Sequence, residues 1–336
     1  MKNKNLVITG SGLYLLRFIN ILAKKKNIKI SGIIPRLDHE ESEVFLKSIK
    51  KLKKKFSFKI LYLKKINSNK SILEINKLKP HLICNWGHNQ LFKDKILNLP
   101  QLGCVNLHPG LLPFGRGSGA IQGEILNGRK IGWTCHFMDK KFDNGEIISY
   151  FKKNLDYDNL YYDEIKKKIF KDVDKFYAKC VMKILNKNKM KKNKIKSKNF
   201  GCYYPKFSLG DDVVDWNDDS KTILRKIKSR SPEKLSVIYI SSIDKKFYIK
   251  KVSSSKVKNY KFVNGQVIDN DSKYGTLVKT NDNAIWINEG SYNKKKFSTP
   301  KFKIGTNFFC NSSGTTLDLL ERINFLEKKI SKLNIK

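Results

Sequence analysis

The chain has 336 residues, with 69 basic against 30 acidic side chains and a formal net charge of +39. This length gives room for about two domains, and an apolar content of 40% excludes global disorder. No apolar run approaches the roughly 18–20 residues of a membrane-spanning helix, so a helical membrane protein is excluded.

The positive charge is carried almost entirely by lysine, because only seven of the 69 basic residues are arginine. Proteins that read bases or clamp phosphates favour arginine for its planar, bidentate guanidinium. A solvated lysine-rich surface is therefore the favoured interpretation, and a face that binds polyanions is the alternative. The six scattered cysteines form no CxxC pair and the N-terminus has no signal peptide, so buried free thiols and a cytoplasmic location are expected.

The first 90 residues alternate between short apolar runs and amphipathic segments. This pattern predicts strands at 6–9, 28–34, 58–63 and 81–86, and helices at 13–25, 42–54 and 71–78. Strands and helices in alternation are typical of a doubly wound, Rossmann-like and mostly parallel sheet. Ligands of such sheets bind past the carboxyl ends of the strands.

Further strands are predicted at 103–107, 132–138 and 146–152, and helices at 120–126 and 161–185. The Lys/Asn-rich stretch 186–202 has the composition of a linker, so one domain is expected over 1–185. Short strands with Gly, Asn and Asp turns predict a small β-rich, barrel-like domain over 203–300. Apolar residues at a/d spacing predict a helix over 315–336, which either docks on its own chain or pairs in a homodimer.

Polar side chains cluster where the strand at 103–107 ends. Asn106 and His108 share one face of that strand, because strand side chains alternate, and Pro109 and Gly110 then stop it. Asp143 follows in a loop between two predicted strands. A histidine can take a proton from an attacking nitrogen at neutral pH, a carboxylate can orient it, and an asparagine amide can donate to an oxyanion. Together the three residue types suit acyl transfer to an amine.

The surrounding sequence is more specific than these three residues. It reads Asn106-Leu107-His108-Pro109, Leu111-Leu112-Pro113, Arg116-Gly117, Ile121-Gln122, Asn127-Gly128, Met138-Asp139 and Phe142-Asp143-Asn144-Gly145-Glu146-Ile147. This pattern resembles the core of the folate-dependent formyltransferases, which move a formyl group from 10-formyltetrahydrofolate to an amine. The resemblance is strongest over residues 80–150. It returns at 204–206 and 215–217, which look like the start of the C-terminal domain of the tRNA enzyme of that family.

The resemblance implies a role for each residue of the cluster. Asn106 would polarise the formyl oxygen and stabilise the oxyanion, and His108 would act as base toward the amine. Asp143 would orient His108 and help to move the proton toward the departing folate nitrogen. His136, on the strand at 132–138, is expected to be either a core side chain or a support for these residues.

The resemblance also implies a folate site, whereas no His/Cys spacing in the sequence suggests a metal site. The expected folate contacts lie in the turn after the fourth strand, in the apolar segment after Pro109 and in the loop before Asp143. They are Trp86, Gly87, Leu91, Leu111 and Asp139. Trp86 is equally well explained as a core aromatic residue.

The acceptor amine is the open question at this stage. The tRNA enzyme of the family carries a basic loop after its second strand, whereas the matching stretch 35–43 is short, acidic and without glycine. Acidic side chains that face phosphates weaken binding. The sequence therefore favours a nucleotide-linked amino sugar, with Arg116 either meeting its diphosphate or holding its own loop. Methionyl-tRNA is the alternative acceptor, and a catalytically inactive basic RNA-binding or scaffold module is the alternative of another class.

Overall fold

The computed structural model describes residues 3–38, 42–156, 158–186, 201–205, 210–240, 242–257 and 260–309, with 322–323, 325–327 and 329–331. The chain divides into two compact units. The first comprises Met1–Glu124, Lys130–Asn154 and Lys167–Pro205, and the second Ile125–Arg129, Leu155–Lys166 and Lys206–Lys336. Most of the predicted linker at 186–202 and of the predicted helix at 315–336 lies outside the described residues. The predicted domain boundaries stay a prediction.

The first unit is built on a seven-stranded sheet. Its strands are β1 (Lys4–Gly10), β2 (Ile28–Pro35), β3 (Lys59–Ile60), β4 (Leu82–Trp86), β5 (Cys104–His108), β6 (Ile131–Phe137) and β7 (Ile147–Lys153). Their order is β3-β2-β1-β4-β5-β6-β7. The first five strands are parallel to one another. β6 runs antiparallel to both of its neighbours, β5 and β7, so β7 has the same direction as the first five. This confirms the predicted Rossmann-like, mostly parallel sheet.

The described residues up to 186 form seven helices: α1 (Leu13–Ala23), α2 (Ser42–Lys55), α3 (Asn69–Asn76), α4 (Asp94–Leu97), α5 (Ala120–Leu126), α6 (Tyr162–Phe170) and α7 (Val173–Asn186). The single helix predicted at 161–185 is wrong, because Asp172 takes a left-handed φ of 65° and separates α6 from α7. The strand predicted at 58–63 is only two residues long. In the described ranges, no helix is long and apolar enough to span a bilayer.

Both faces of the sheet are buried. Leu6 and Ile8 of β1 belong to one core cluster, which includes residues of α1 and α7, and Val7 belongs to the other. Strand side chains alternate between faces, and a parallel sheet covered on both sides therefore reads as a continuous apolar run. A polar residue in such a run needs a buried hydrogen-bond partner, and β4 carries one at Asn85.

The second unit contains α8 (Ser220–Lys228) and a five-stranded sheet. The strands are β8 (Ser236–Ile240), β9 (Ser242–Ser254), β10 (Val267–Asp271), β11 (Gly275–Lys279) and β12 (Ala284–Ser291). Their order is β10-β11-β12-β9-β8, and every neighbouring pair is antiparallel. The predicted β-rich C-terminal architecture is thereby confirmed.

This second sheet resembles a barrel without closing into one. Residues 305–309 contact both of its edges. Val267 of β10 donates its N–H to the Thr306 carbonyl, and Phe309 donates to the Tyr239 carbonyl of β8. Over the described residues these contacts are isolated bridges rather than a sixth paired strand, so the sheet remains open.

Candidate active site

The strand register places four polar residues side by side across the first sheet. Asn106 of β5 lies opposite Asn85 of β4 on one side and His136 of β6 on the other, and Asn85 lies opposite Thr9 of β1. The row lies near the carboxyl ends of β1, β4 and β5, the edge where sheets of this class bind their ligands.

Asn106 is held by hydrogen bonds at both ends of its carboxamide. Its Oδ1 accepts from Asn85 Nδ2 at 2.8 Å, and its Nδ2 lies 3.1 Å from His136 Nε2. The same Nδ2 is 3.5 Å from Asp143 Oδ1. The amide therefore presents its NH2 group toward the Asp143 carboxylate.

His108 is 4% exposed and contacts two acceptors. Its Nδ1 lies 3.2 Å from Asp143 Oδ1, and its Nε2 lies 2.7 Å from the Gly115 carbonyl oxygen. Both of these oxygens can only accept hydrogen bonds. The structure thus brings together all three residues that the sequence assigned to catalysis.

The loop that carries Asp143 is shaped to aim this carboxylate. Asp143 has a φ of 51°, a left-handed conformation that aspartate and asparagine tolerate better than most residues. Its second oxygen accepts the Gly117 N–H at 3.0 Å. The carboxylate is therefore held at both oxygens, which limits its rotation beside His108.

The segment after β5 packs closely over His108. A Cβ atom at Gly110 would lie 2.3 Å from the Gly115 carbonyl oxygen and 2.9 Å from His108 Nε2, so only glycine fits. The buried Thr134 hydroxyl donates to the Gly110 carbonyl at 2.5 Å. Glu124, another buried side chain, accepts the Leu111 N–H at 2.9 Å. Sequence reasoning missed both Thr134 and Glu124, because their partners are main-chain groups of a distant loop.

His136 supports Asn106 rather than filling the core. Its Nδ1 lies 2.7 Å from the Phe137 carbonyl oxygen, and its Nε2 faces Asn106. Burial is the main cause that lowers the pKa of His136 to about 4, with the neighbouring His108 as a further cause. The ring is therefore neutral at physiological pH.

The residues expected to contact folate lie in different settings. The Trp86 ring packs among Phe18, Trp133 and Tyr177 in the core, so a ligand at this turn would meet its main chain. Gly87 forms the turn that follows, with a left-handed φ of 85°.

Asp139 and Leu91, two other expected folate contacts, form hydrogen bonds with neighbouring segments. Asp139 accepts from the Lys141 N–H and from Asn144 Nδ2, which organises the loop before Asp143. The Leu91 carbonyl accepts from Asn67 Nδ2 at 2.8 Å. Leu111, in the segment after β5, is half-buried. All five residues stay predicted folate contacts.

Arg116 packs against a segment distant in sequence. Its guanidinium carbon lies 5.3 Å from the centre of the Tyr203 ring. Main-chain hydrogen bonds link Arg116 to Cys202 and Tyr204, and the Tyr203 hydroxyl donates to the Phe142 carbonyl next to Asp143. Arg116 Nε is buried without a hydrogen-bond partner among the described residues.

Comparison with known proteins identifies the family of this chain. Residues 3–179 match the family described as formyl transferase, and residues 206–307 match the formyl transferase C-terminal domain. The chain belongs to the formyl transferase family. It is a folate-dependent formyltransferase. The family resemblance seen in the sequence is thereby confirmed.

Named relatives fall into two groups. The chain is 32% identical over 213 residues to the bifunctional polymyxin resistance protein ArnA of Wigglesworthia glossinidia brevipalpis, a match of 61% of this chain and 31% of ArnA. It therefore spans about a third of that relative. It is 26% identical over 282 residues to the methionyl-tRNA formyltransferase of Syntrophomonas wolfei subsp. wolfei, covering 82% of this chain and 88% of the relative.

A solved structure shares the fold. The N-formyltransferase from Helicobacter canadensis, in complex with folinic acid and dTDP-3-aminofucose, superposes with a TM-score of 0.59 at 17% identity. The superposition covers 85% of this chain and 99% of that protein. At this identity the likeness concerns the fold alone.

Proposed function

We propose that this formyltransferase acts on the amino group of a nucleotide-linked amino sugar. The observation that carries the proposal is the pairing of Arg36 in the short segment after β2. Arg36 Nε lies 2.9 Å from Asp38 Oδ1, and Arg36 also donates to the Gly87 carbonyl. Asp38 accepts a further hydrogen bond of 2.6 Å from Asn89.

The Asp38 carboxylate offsets the positive charge of Arg36, and the hydrogen bonds to Gly87 and Asn89 connect the segment to the turn after β4. Binding of RNA gains affinity from cations that replace the counterions of phosphates. An arginine that already pairs with a carboxylate adds little to the affinity for RNA phosphates. An acceptor smaller than tRNA is therefore favoured at this edge of the sheet.

The contacts of the three residues support the catalytic roles that the family resemblance implies. The folate co-substrate supplies the formyl carbon. Asn106 donates from Nδ2 to the formyl oxygen, where negative charge develops as the amine attacks. His108 takes the proton of the attacking nitrogen, and its protonated ring is stabilised by Asp143 and the Gly115 carbonyl. The His108–Asp143 pair then returns the proton to the departing folate nitrogen.

Arg116 is the residue that we assign to the acceptor's diphosphate. Its guanidinium lies over the half-exposed Tyr203 ring, and the Tyr203 hydroxyl contacts the loop of Asp143. Arginine binds phosphate oxygens through two parallel N–H donors, which a lysine cannot do.

Methionyl-tRNA is the second candidate acceptor. Two observations favour it: the match to a methionyl-tRNA formyltransferase extends over 82% of the chain, and the net charge is +39. An inactive basic scaffold is not favoured, because Asn106 and His108 both lie within hydrogen-bonding distance of Asp143.

One transfer assay separates the two acceptors. The purified chain is incubated with 10-formyltetrahydrofolate and either dTDP-3-aminofucose, related nucleotide-linked amino sugars, or methionyl initiator tRNA. We expect kcat/KM for at least one sugar nucleotide to exceed that for tRNA by about 100-fold. The reverse preference would establish the tRNA reaction instead.

A further inference from the structure

Asn85 occupies a position where an apolar residue would be expected. It lies in β4, whose five residues are all buried, and only 4% of its surface is exposed. Its side chain shares a row with those of Thr9, Asn106 and His136. Burying an amide costs free energy unless its groups are hydrogen-bonded, so the contacts of Asn85 decide what it does.

The direction of each hydrogen bond is fixed at one end of the row by a main-chain group. The His88 N–H can only donate, and it donates to Asn85 Oδ1 at 3.2 Å. The Thr9 hydroxyl donates to the same oxygen at 2.7 Å. Asn85 therefore directs its NH2 group toward Asn106, and Asn106 accepts that hydrogen bond with its oxygen.

The other end of the row imposes the same direction independently. The Phe137 carbonyl can only accept, so His136 carries its proton on Nδ1. The neutral ring then accepts at Nε2, and the group of Asn106 that faces it must be the NH2. Both ends of the row thus select one of the two orientations of the Asn106 amide.

We propose that Asn85 is a positioning residue for formyl transfer, which orients the Asn106 carboxamide so that its NH2 group meets the formyl oxygen. The inference rests on the proposed catalytic role of Asn106. A reversed amide would present its own oxygen to the developing negative charge. Reversal is disfavoured because the Asn106 NH2 would then face the NH2 of Asn85, so that two donors meet. The Asn106 oxygen would face His136 Nε2 and the Asp143 carboxylate, which are both acceptors.

Two substitutions at this position test the proposal. Asn85→Ala removes the donor, and we expect kcat to fall about tenfold or more while KM for both substrates stays unchanged. Asn85→Asp keeps the shape. A protonated carboxyl at position 85 donates to Asn106 Oδ1, whereas the ionised form can only accept and attracts the Asn106 NH2 away from the reaction. The pH profile of kcat for Asn85→Asp should therefore show a decrease with rising pH that the wild-type profile lacks.

Matched controls come from Asn5, which donates from Nδ2 to the carbonyls of Leu78 and Lys79, away from the row. Asn5→Ala and Asn5→Asp should stay within about twofold of the wild-type kcat. The assays use 10-formyltetrahydrofolate with dTDP-3-aminofucose and, in parallel, with methionyl-tRNA.

Asn106→Ala distinguishes the two proposals. If it retains the wild-type rate, the catalytic role of Asn106 is wrong, and the Asn85 inference fails with it. If it loses activity while both Asn85 variants match the wild type at every pH, only the Asn85 inference is overturned. Equal losses in the Asn85 and Asn5 variants would also overturn it, because they would indicate general destabilisation.

Discussion

The Nδ1 atom of His108 lies 3.2 Å from Oδ1 of Asp143, and the second oxygen of Asp143 accepts the Gly117 N–H at 3.0 Å. One carboxylate thereby connects the end of β5, the loop after β6 and the glycine-rich turn at 115–119. The carboxylate thereby lies beside the ring that accepts the proton of the amine in the proposed reaction.

Replacing Asp143 by asparagine should remove this charge without changing the shape of the side chain. We expect kcat of Asp143→Asn to fall about 100-fold or more, because the protonated His108 loses its counter-charge. The measurement is steady-state formyl transfer, with the thermal midpoint of unfolding recorded alongside.

Asp172→Asn is a matched control for this substitution. Asp172 also has a left-handed φ, of 65°, and pairs with a single exposed Lys175. We expect its kcat to equal that of the wild type. Comparable losses in both variants would show that the effect comes from the turn rather than from the charge beside His108.

His136 should titrate far below an ordinary histidine. Its pKa is lowered to about 4, mainly by burial. In 15N NMR spectra we expect a neutral ring with the proton on Nδ1 from about pH 7 down to about pH 5. An Nε2–H tautomer would contradict the orientation of Asn106 described above.

The same shift makes stability depend on pH. Between the ordinary pKa of about 6.5 and the folded value the unfolded chain binds more protons, so stability falls as pH falls through this window. From about pH 7 to 5, we expect the free energy of unfolding to drop by about 2 kcal/mol more in the wild type than in His136→Asn. Denaturant titrations at the two pH values measure this difference, and equal drops would contradict the prediction.

Arg116→Ala should raise KM for a nucleotide-linked amino sugar by about tenfold or more and leave KM for 10-formyltetrahydrofolate unchanged. The reason is the loss of the bidentate donor that we assign to the diphosphate. Arg17→Ala is the matched control, because Arg17 also lies over a tyrosine, Tyr14, at 5.4 Å. An unchanged KM in Arg116→Ala would refute the diphosphate assignment.

Gly110→Ala should reduce kcat strongly, by about 100-fold, because the new methyl group meets both the Gly115 carbonyl and His108 Nε2. The effect should be larger on kcat than on the thermal midpoint, since the displaced groups belong to the catalytic edge. A fully active variant would mean that the close approach at Gly110 is not required for catalysis.

Much of the fold was predictable because it depends on local patterns. The apolar runs and their turns predict the order of strands and helices, and Pro109 and Gly110 mark where β5 ends. The long helix at 161–185 was wrongly predicted because the apolar stripe continues across Asp172, whose left-handed φ has no signal in the periodicity. Trp86 could not be placed from the sequence, since either face of a doubly buried strand is apolar.

Asn85 illustrates why the support of the catalytic residues was missed. An asparagine within the run Leu-Ile-Cys-Asn-Trp is a signal of buried hydrogen bonding, but the sequence does not say with which residue. Its partner lies 21 residues away on another strand, and the pairing depends on the register between β4 and β5.

The sequence by itself determined the alternating strands and helices, the family, and the three residue types that suit formyl transfer. These follow from side-chain periodicity, turn residues and a specific local motif. The tertiary structure decided which groups face one another: Gly115 and Asp143 at His108, and Asn85 and His136 at Asn106. Register and loop packing set these contacts, and both result from interactions between residues far apart in the chain.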